Sequence, residues 1–366
     1  MQRTVTRAIA LTRMHDMTAH QVYYGYDLQG VTVRIFAFEY VTGGAMVNES
    51  VPRSLAYEGN MMLGALIEDL AALPNIEVMT LRDARFGEPE WIANVRYVRT
   101  EHEFQRGWQR LLAEADAVWP VAPETGTQLE RLSRNVIGAG KLLLNSRPDA
   151  VQVAASKLRT AQCLAEHGLP VVPTCRLLDH TLDTARCWVV KPDDGVGCLG
   201  ARICRSLDEL EAMAYALGEL ETYVIQPFVK GTPASLCMLC RDGDARLLSC
   251  NLQRVVVAND EFHLLGCIVN GMAGDRAPYA RMARQIAAAL PGLWGLVGVD
   301  FIVSEHGPQL LEINPRLTTS YAGLKSSLKE NPAALVLRLI DEQDLAPEAM
   351  SSPEAIDVSL EVGDVA

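Results

Sequence analysis

The sequence predicts an α/β domain followed by an α+β region that is built on an antiparallel sheet. Three observations carry this prediction. Short apolar strands alternate with helical patterns from Val31 to about residue 147, which is typical of a parallel sheet covered by helices. Long runs of alternating apolar and polar residues follow within residues 235–269, which favours antiparallel strands. A two-stranded hairpin pattern then occupies Val299–Arg316.

The elements of the first domain follow one another in the order strand, helix, strand. The predicted strands are 31–40, 76–81, 117–121 and 141–145, and the predicted helices are 53–73, 101–115 and 124–137. The block ends near Pro148, so we assign the domain to residues 31–147. Residues 1–30 show no clear period and are treated as an N-terminal extension.

The second part of the chain opens with a helix from Ala154 to Glu166, which Gly168 and Pro170 end. The remaining predicted strands are 171–177, 187–191, 199–204, 223–228, 235–240, 246–257 and 261–269, and the remaining helices are 206–217, 280–290, 320–329 and 333–342. We divide this part into a central subdomain, 148–222, and a C-terminal subdomain, 223–345. The acidic tail, 346–366, contains several Pro and Ser residues and is expected to be loose.

Length and charge narrow the class of protein. A chain of 366 residues predicts two or three domains at roughly 100–200 residues each. The net charge of −12 disfavours a surface for nucleic acid or for an anionic membrane. No apolar run approaches the roughly 18 residues of a membrane span, and the N-terminus lacks the apolar stretch of a secretory signal. We therefore expect a cytoplasmic protein with neither a membrane nor a nucleic-acid partner.

The cysteines indicate a reducing compartment. The chain has nine, none of them in its first 162 residues, which is unlike a disulfide scaffold. Cys237 and Cys240 form a lone C-x-x-C inside an alternating apolar run. No second pair accompanies them, so we interpret them as buried strand cysteines and expect free thiols throughout.

The Val299–Arg316 hairpin carries most of the candidate chemistry. Leu311 and Ile313 alternate with polar neighbours on the second strand. Side chains two apart on a strand share a face, so Glu312 and Asn314 point the same way. If the hairpin centres near His306, Asp300 lies opposite Glu312, although a slip of one residue would separate them. Two carboxylates and an amide oxygen suit Mg²⁺. The open alternative is a surface hairpin with solvated acids.

A second group of residues is a candidate for holding phosphate. The apolar strand Cys187–Pro192 contains Lys191, and the loop 193–200, which we call the glycine loop, follows with three glycines. Backbone N–H groups of such a loop can cradle an anion, and a lysine in an apolar strand needs a partner. No helix begins there, so it is neither a Walker A loop nor a Rossmann fingerprint. For the loop, a plain glycine hairpin remains an alternative. Lys157, at the start of a helix, is a further candidate for binding phosphate, with a solvated helical lysine as its alternative.

The order and spacing of these motifs resemble the ATP-grasp superfamily of carboxylate–amine ligases, over roughly residues 31–342. The most specific piece is Leu311–Arg316, and the strand-ending segment Gln226–Gly231 would be the adenine-binding hinge. Within the superfamily, several stretches are similar to the tyramine–glutamate ligases of methanofuran-type cofactor synthesis. These stretches are Phe38-Glu39-Tyr40 with Gly43-Gly44, Tyr57–Met62, Ala122–Thr125, Asn145-Ser146 and Asn314–Gly323.

The resemblance implies the ATP-grasp fold: an N-terminal parallel α/β pre-ATP-grasp domain, a small central subdomain and a C-terminal antiparallel-sheet subdomain. It also implies the residues of the site. ATP would be bound by Lys157, Lys191, Asp194, Gly195, Gly197, Gly200, Gln226, Pro227, Phe228, Val229 and Ser235. Mg²⁺ or Mn²⁺ would be bound by Asp300, Glu312 and Asn314. Where many members carry an acid for the ribose hydroxyls, this chain has Thr232-Pro233, and Ser235 or a backbone group would substitute.

The implied activity is ATP-dependent amide formation through an acyl phosphate, with ADP released. The implied substrates are L-glutamate and tyramine or a tyrosine-like amine, and a homodimer is expected by analogy. Arg316 would lie near the acyl phosphate. Arg254 would bind a substrate carboxylate, with a surface arginine as the equal alternative, and Glu58 and Tyr321 are weaker candidates for the acceptor side. The alternatives are another ATP-grasp amino-acid or peptide ligase and a nucleotide-binding sensor without catalysis.

Overall fold

The computed structural model describes residues 32–177, 187–195, 197–218, 220–341, 345 and 353–360. They form two compact units. The first unit takes its described residues from Met1–Ala122, Leu132–Leu144 and Asn331–Asp344, and the second from Pro123–Arg131, Asn145–Glu330 and Leu345–Ala366. The N-terminal extension, 1–30, and most of the acidic tail lie outside the described residues, as does Val196 of the glycine loop.

Fifteen strands and nine α-helices are assigned among these residues. The strands are β1 (Val33–Glu39), β2 (Ile76–Asp83), β3 (Asn94–Val98), β4 (Ala117–Val121), β5 (Leu142–Leu143), β6 (Cys175–Arg176), β7 (Trp188–Pro192), β8 (Arg202–Cys204), β9 (Tyr223–Pro227), β10 (Thr232–Arg241), β11 (Asp244–Ala258), β12 (Glu261–Val269), β13 (Gly295–Ser304), β14 (Gly307–Asn314) and β15 (Ile356–Ser359). The helices are α1 (Arg53–Ala71), α2 (Glu101–Glu114), α3 (Gln128–Gly138), α4 (Pro148–Ala154), α5 (Lys157–Glu166), α6 (Leu207–Leu217), α7 (Ala277–Ala289), α8 (Tyr321–Leu328) and α9 (Pro332–Asp341).

The first unit contains a parallel sheet of five strands in the order β3-β2-β1-β4-β5. Its central strands β1 and β4 are buried almost throughout, as strands covered on both faces must be. Phe36 and Phe38 of β1 pack on Phe104 and Trp108 of α2, with ring centroids 5.0–5.9 Å apart. The hydroxyl of Thr100 caps α2 by accepting the N–H of Glu103. The parallel α/β prediction is confirmed, whereas the edge strand β3 was not predicted.

The second unit contains a sheet of ten strands, with β14-β13-β10-β11-β12-β8-β7-β9-β6 in order and β15 paired to β12. Its long strands β10 to β14 are antiparallel, as the alternating pattern predicts. One face packs on α7 through a core that includes Leu236, Cys250, Val299 and Ile313. Cross-strand neighbours share a face, so the opposite face is the one that carries the polar residues between these positions.

The structure corrects three details of the sequence reading. The helix expected over 154–166 begins instead at Lys157, because Ser156 leaves the helical conformation and caps α5 with its hydroxyl, and a separate helix, α4, ends at Ala154. The tail is not loose throughout, because β15 adds to β12 and Arg254 binds Asp357. In the hairpin, Leu310 rather than Leu311 accompanies Ile313 in the core.

All nine cysteines are free thiols, as predicted. Cys237 and Cys240 are buried strand residues, and burial raises the pKa of Cys237 to about 12, which leaves an inert thiol. In the part of the chain that the structure describes, none of the helices has the length and apolar character needed to cross a membrane.

Candidate active site

The β13–β14 hairpin places Asp300 directly opposite Glu312. Its two-residue turn, Glu305-His306, would by regular pairing set Asp300 against Leu311. A β-bulge between Phe301 and Asp300 adds one residue on β14 and moves Glu312 into register. The facing pair that the sequence predicts is therefore confirmed, although a bulge rather than the turn produces it.

Polar side chains continue across the same face of the sheet. Ser235 on β10 lies opposite Asp300, and Asn251 on β11 lies opposite Ser235. The amide of Asn251 donates to the Ser235 hydroxyl at 3.2 Å. Ser235 thus belongs to the row that contains the carboxylates rather than to the hinge segment that precedes it in the sequence.

Asp300 is held by two amide groups. Gln253 Nε2 donates to Oδ1 at 2.8 Å, and Asn314 Nδ2 donates to Oδ2 at 3.1 Å. Burial, and then the charge of Glu312, raise the pKa of Asp300 to about 7. When both are charged, the Asp300 and Glu312 carboxylates repel each other, so the pair favours binding a proton or a cation.

Two buried lysines approach the same carboxylate pair. Lys157 Nζ lies 3.3 Å from Glu312 Oε2 and also donates to the carbonyl oxygen of Gly195. Burial would raise the pKa of Glu312, but the charges of Lys157 and Lys191 hold it below its ordinary value. Burial lowers the pKa of Lys191 to about 8, against the attraction of Glu312. Both predicted phosphate lysines are therefore brought together at one end of the carboxylate pair.

The glycine loop is fixed at its base by Asp193. Its carboxylate accepts from the Ser156 hydroxyl at 2.7 Å and from the Leu158 N–H at 2.9 Å, which caps the start of α5. The loop then turns back over Pro192, where Gly200 adopts φ +73°, a conformation that glycine adopts without strain. The loop therefore begins directly beside Lys157 and Lys191.

The predicted adenine segment is only partly open to a ligand. The Gln226 side chain is buried and donates to the Thr174 hydroxyl at 2.8 Å, so it supports the strand from inside. The N–H of Phe228 is used by the carbonyl oxygen of Cys187 at 2.9 Å. The Phe228 ring is 40% exposed and offers an apolar surface after Pro227, and Val229 follows it in the sequence.

The two predicted catalytic arginines have different surroundings. Arg316 is mostly buried and binds Glu124, with Nε 2.9 Å from Oε1 and Nη2 donating to Oε2 at 3.1 Å. Arg254 instead extends to the C-terminal strand, where it contacts Asp357 at 2.7 Å and Ser359 at 2.9 Å. The structure does not bring Arg254 into the group around Asp300.

The weaker candidates for the acceptor side lie in different units. Tyr321 is buried at the start of α8 in the second unit, and Glu58 is half-buried on α1 in the first unit. Three other residues that contact the site were not singled out from the sequence: Glu124, Asp193 and Gln253. Glu124 and Asp193 lay within the stretches 122–125 and 193–200 that the sequence singled out, but neither was given a role. Gln253 sits two residues from Asn251 on the same alternating strand.

Comparison with known proteins shows which family has this arrangement. A family model described as the pre ATP-grasp 3 domain matches residues 76–151, and one described as the ATP-grasp domain matches residues 154–320. Together they span more than half of the chain. The chain belongs to the ATP-grasp superfamily.

Individual ATP-grasp proteins resemble the chain over most of its length. The tyramine–L-glutamate ligase of Methanocaldococcus jannaschii is 23% identical over 85% of this chain and 90% of its own. An ATP-grasp superfamily protein from Archaeoglobus fulgidus matches with a TM-score of 0.65 and 21% identity, over 90% of this chain and 100% of its own. The biotin carboxylase domain of Hydrogenobacter thermophilus 2-oxoglutarate carboxylase was solved with MgADP. It matches with a TM-score of 0.66 and 14% identity, over 89% of this chain and 72% of its own.

These matches confirm the ATP-grasp fold that the sequence predicts, and the chain is an ATP-grasp ligase, an enzyme that forms C–N bonds. The residues present also fit the groups that such enzymes use. Two partly buried carboxylates with an amide oxygen beside them form a hard-oxygen set for a divalent cation. Two buried ammonium groups beside a glycine loop provide the positive charge that phosphate needs.

Proposed function

We propose that this chain joins L-glutamate to tyramine, or to a tyrosine-like amine, with ATP as the energy source, in the synthesis of a methanofuran-type cofactor. The observation that carries the ligase chemistry is the pair of buried lysines facing Glu312 and Asp300. The substrate pair rests on the similarity to tyramine–L-glutamate ligase, which extends over 85% of the chain.

The proposed reaction has two steps. A carboxylate oxygen of glutamate attacks the γ-phosphorus of ATP, the bond to the β-phosphate oxygen breaks, and ADP leaves. The amine nitrogen then attacks the acyl carbon and loses one proton to solvent, the C–O bond to phosphate breaks, and inorganic phosphate leaves with that electron pair. Phosphoryl transfer requires mainly positioning and charge neutralisation from the protein, so no nucleophilic Ser or Cys is needed.

Each charged group has a part in this scheme. Lys157 and Lys191 bind phosphate oxygens, and Glu312 holds the two ammonium groups in place before ATP arrives. Asp300, Glu312 and Asn314 would hold Mg²⁺ or Mn²⁺, which would neutralise charge on the phosphates. Arg316, held by Glu124, faces the acyl phosphate. An acyl phosphate hydrolyses in water, so the glycine loop, including Asp194, Gly195, Gly197 and Gly200, serves as the lid.

The nucleotide's base would pack beside the exposed ring of Phe228, between Pro227 and Val229. Because the Phe228 N–H is already bonded, recognition of adenine would depend on the other backbone groups of this segment. Ser235 lies beside Asp300, which favours contact with the phosphate and metal region over contact with the ribose.

Product analysis across a panel of amines tests the proposal. ATP, Mg²⁺ and L-glutamate are incubated with tyramine, tyrosine and other amines, and ADP and the amide are measured in the same sample. ADP formation that needs both glutamate and an aromatic amine supports the proposed pair. Turnover with a different acid–amine pair replaces it by another ATP-grasp amino-acid or peptide ligase. ATP binding without turnover on any pair favours a nucleotide sensor, and absence of ATP binding contradicts the assignment of the site.

We also propose a homodimer, by analogy with the biotin carboxylase domain, which was solved as a dimer. Light scattering on the eluting peak of a size-exclusion column measures the mass directly. A mass near 40.0 kDa at working concentration would contradict the dimer.

A further inference from the structure

The turn that follows β4, residues 123–127, contacts the site through its first acidic residue. Glu124 is 5% exposed and pairs with the Arg316 guanidinium: Oε2 accepts a hydrogen bond from Nη2 at 3.1 Å, and Oε1 lies 2.9 Å from Nε as an ion-pair contact without hydrogen-bond geometry. Arg316 is further held by the carbonyl oxygen of Leu317, to which Nη1 donates at 3.2 Å. A mostly buried ion pair with one charge-assisted hydrogen bond holds the guanidinium in place and balances its charge.

The next two residues of the same turn hold the glycine loop. The Thr125 hydroxyl donates to the carbonyl oxygen of Asp194 at 2.7 Å, and the Gly126 N–H donates to Asp194 Oδ2 at 3.0 Å. The residue after Asp194 is Gly195, whose carbonyl oxygen accepts from Lys157. The loop is thus tied on one side to the turn and on the other to a phosphate lysine.

The backbone of the turn is strained at Thr127, the residue that follows these contacts. Gly126 has φ +60° and Thr127 has φ +59°. A β-branched residue rarely adopts the left-handed region, and such strain persists only where the surrounding structure fixes it. Strain of this kind collects at ligand clamps and switch regions.

We propose that the 123–127 turn is a shared support for catalysis: Glu124 is a positioning residue for Arg316, and Thr125 with Gly126 latches the glycine loop. The proposal rests on the proposed ligase function. The arginine that faces the acyl phosphate and the lid that keeps water from it are then placed by one turn. When the latch is lost, water attacks the acyl carbon, the C–O bond to phosphate breaks, and glutamate and phosphate form without amide.

Two substitutions separate the two halves of the proposal. Glu124→Gln removes the charge that orients Arg316, and Thr125→Val removes the hydroxyl that holds Asp194 while keeping the side-chain size. Glu114→Gln is the matched control, because Glu114 pairs with Arg110 at 2.8 Å on the surface of α2, outside the site. ADP and amide are counted in the same reaction, so that their ratio reports how often the acyl phosphate is lost to water.

The expected result for E124Q is a fall in kcat of at least tenfold with the KM for ATP within about threefold of the wild type. In an Arg316→Lys background the same substitution should add little, because Glu124 acts through that arginine. For T125V the ratio of ADP to amide should rise above one. Wild-type kcat in E124Q, or additive losses in the double variant, would overturn the positioning role.

Hydrogen exchange decides the latch without any turnover. Mass spectrometry of the free protein measures exchange in peptides that cover residues 193–200. Faster exchange there in T125V than in the wild type and E114Q supports the latch, and equal exchange with an unchanged product ratio overturns it. If the wild type turns over no substrate pair, the proposed function fails, while the exchange result still decides whether the turn holds the loop.

Discussion

Glu312 is the counter-ion of two buried lysines, so its replacement by Gln tests the electrostatics of the site. The Lys157–Glu312 distance of 3.3 Å corresponds to about 5 kcal/mol of attraction at an effective dielectric constant near 20. Part of this is offset, because the substitution also removes the repulsion that raises the pKa of Asp300. Removing one partner of a buried pair costs about 3–5 kcal/mol, and we expect E312Q to lose about 3 kcal/mol.

Urea denaturation measures this loss, and Glu305→Gln provides the matched control. Glu305 lies in the turn of the same hairpin with its side chain 87% exposed, so its substitution should change stability by less than about 0.5 kcal/mol. Equal stability of the two variants would refute the ion-pair reasoning.

The same substitution should change the affinity for ATP in opposite directions without and with a divalent metal. Without a divalent metal, E312Q should bind ATP more tightly than the wild type by roughly tenfold, because a negative charge beside the phosphates has been removed. With Mg²⁺, the wild type should bind more tightly, and E312Q should lose at least about 10²-fold in kcat. Calorimetric titration in EDTA and in Mg²⁺ measures both. The same order of affinity in the two buffers would refute the assignment of Glu312 as both counter-ion and metal ligand.

The remaining predictions concern stability. In Gly59→Ala the new Cβ would lie 2.6 Å from Glu39 Oε2, and urea denaturation should show that the free energy of unfolding falls by about 1–3 kcal/mol. Gly138→Ala is the control, because its Cβ would have no heavy atom within 4 Å and should leave stability unchanged. Equal effects of the two substitutions would contradict the close packing at Gly59. Burial raises the pKa of Glu39 despite its bonds to the Thr42 N–H and hydroxyl and the Val41 N–H. Its stabilising contribution is therefore present below the ordinary carboxyl pKa of 4.5 and is lost as pH rises through the raised pKa of the folded state. The stability of the wild type relative to E39Q should fall over that range, and a constant difference would contradict this reasoning. Thr127→Gly should raise the free energy of unfolding by about 1 kcal/mol by relieving a positive φ, and a loss of stability would show that the side chain has a partner.

Strong periodicity was enough to predict most of the long elements. The bounds of β4 and β12 agree with the sequence patterns, and α1 begins at the predicted Arg53. The edge strand β3, Asn94–Val98, was missed because it is only five residues long and its assignment depends on pairing with β2. The strand β15 was missed for the same reason. It has four residues, and it is recognised only by its pairing with β12 and the contact of Asp357 with Arg254.

The site divides in the same way between local and distant information. Asp300, Glu312 and Asn314 lie within one hairpin, where the alternation of a strand relates them. Glu124 lies 192 residues before Arg316, and no pattern along the chain connects the two. Arg254 was correctly predicted to lie on a strand. Its partner, Asp357, lies on β15, a strand that the sequence pattern did not reveal.

The register of the hairpin follows from core packing rather than from the turn. Leu310 and Ile313 both belong to the core beneath the sheet, yet residues three apart on a regular strand point to opposite faces. The bulge at Leu311 resolves this conflict, because one extra residue lets both side chains enter the core. The same extra residue turns Glu312 and Asn314 to the other face, where Asp300 lies. Burial of two leucine-sized side chains is worth roughly 3–6 kcal/mol, more than the loss of one ladder hydrogen bond, so the apolar core fixes the position of the carboxylate pair.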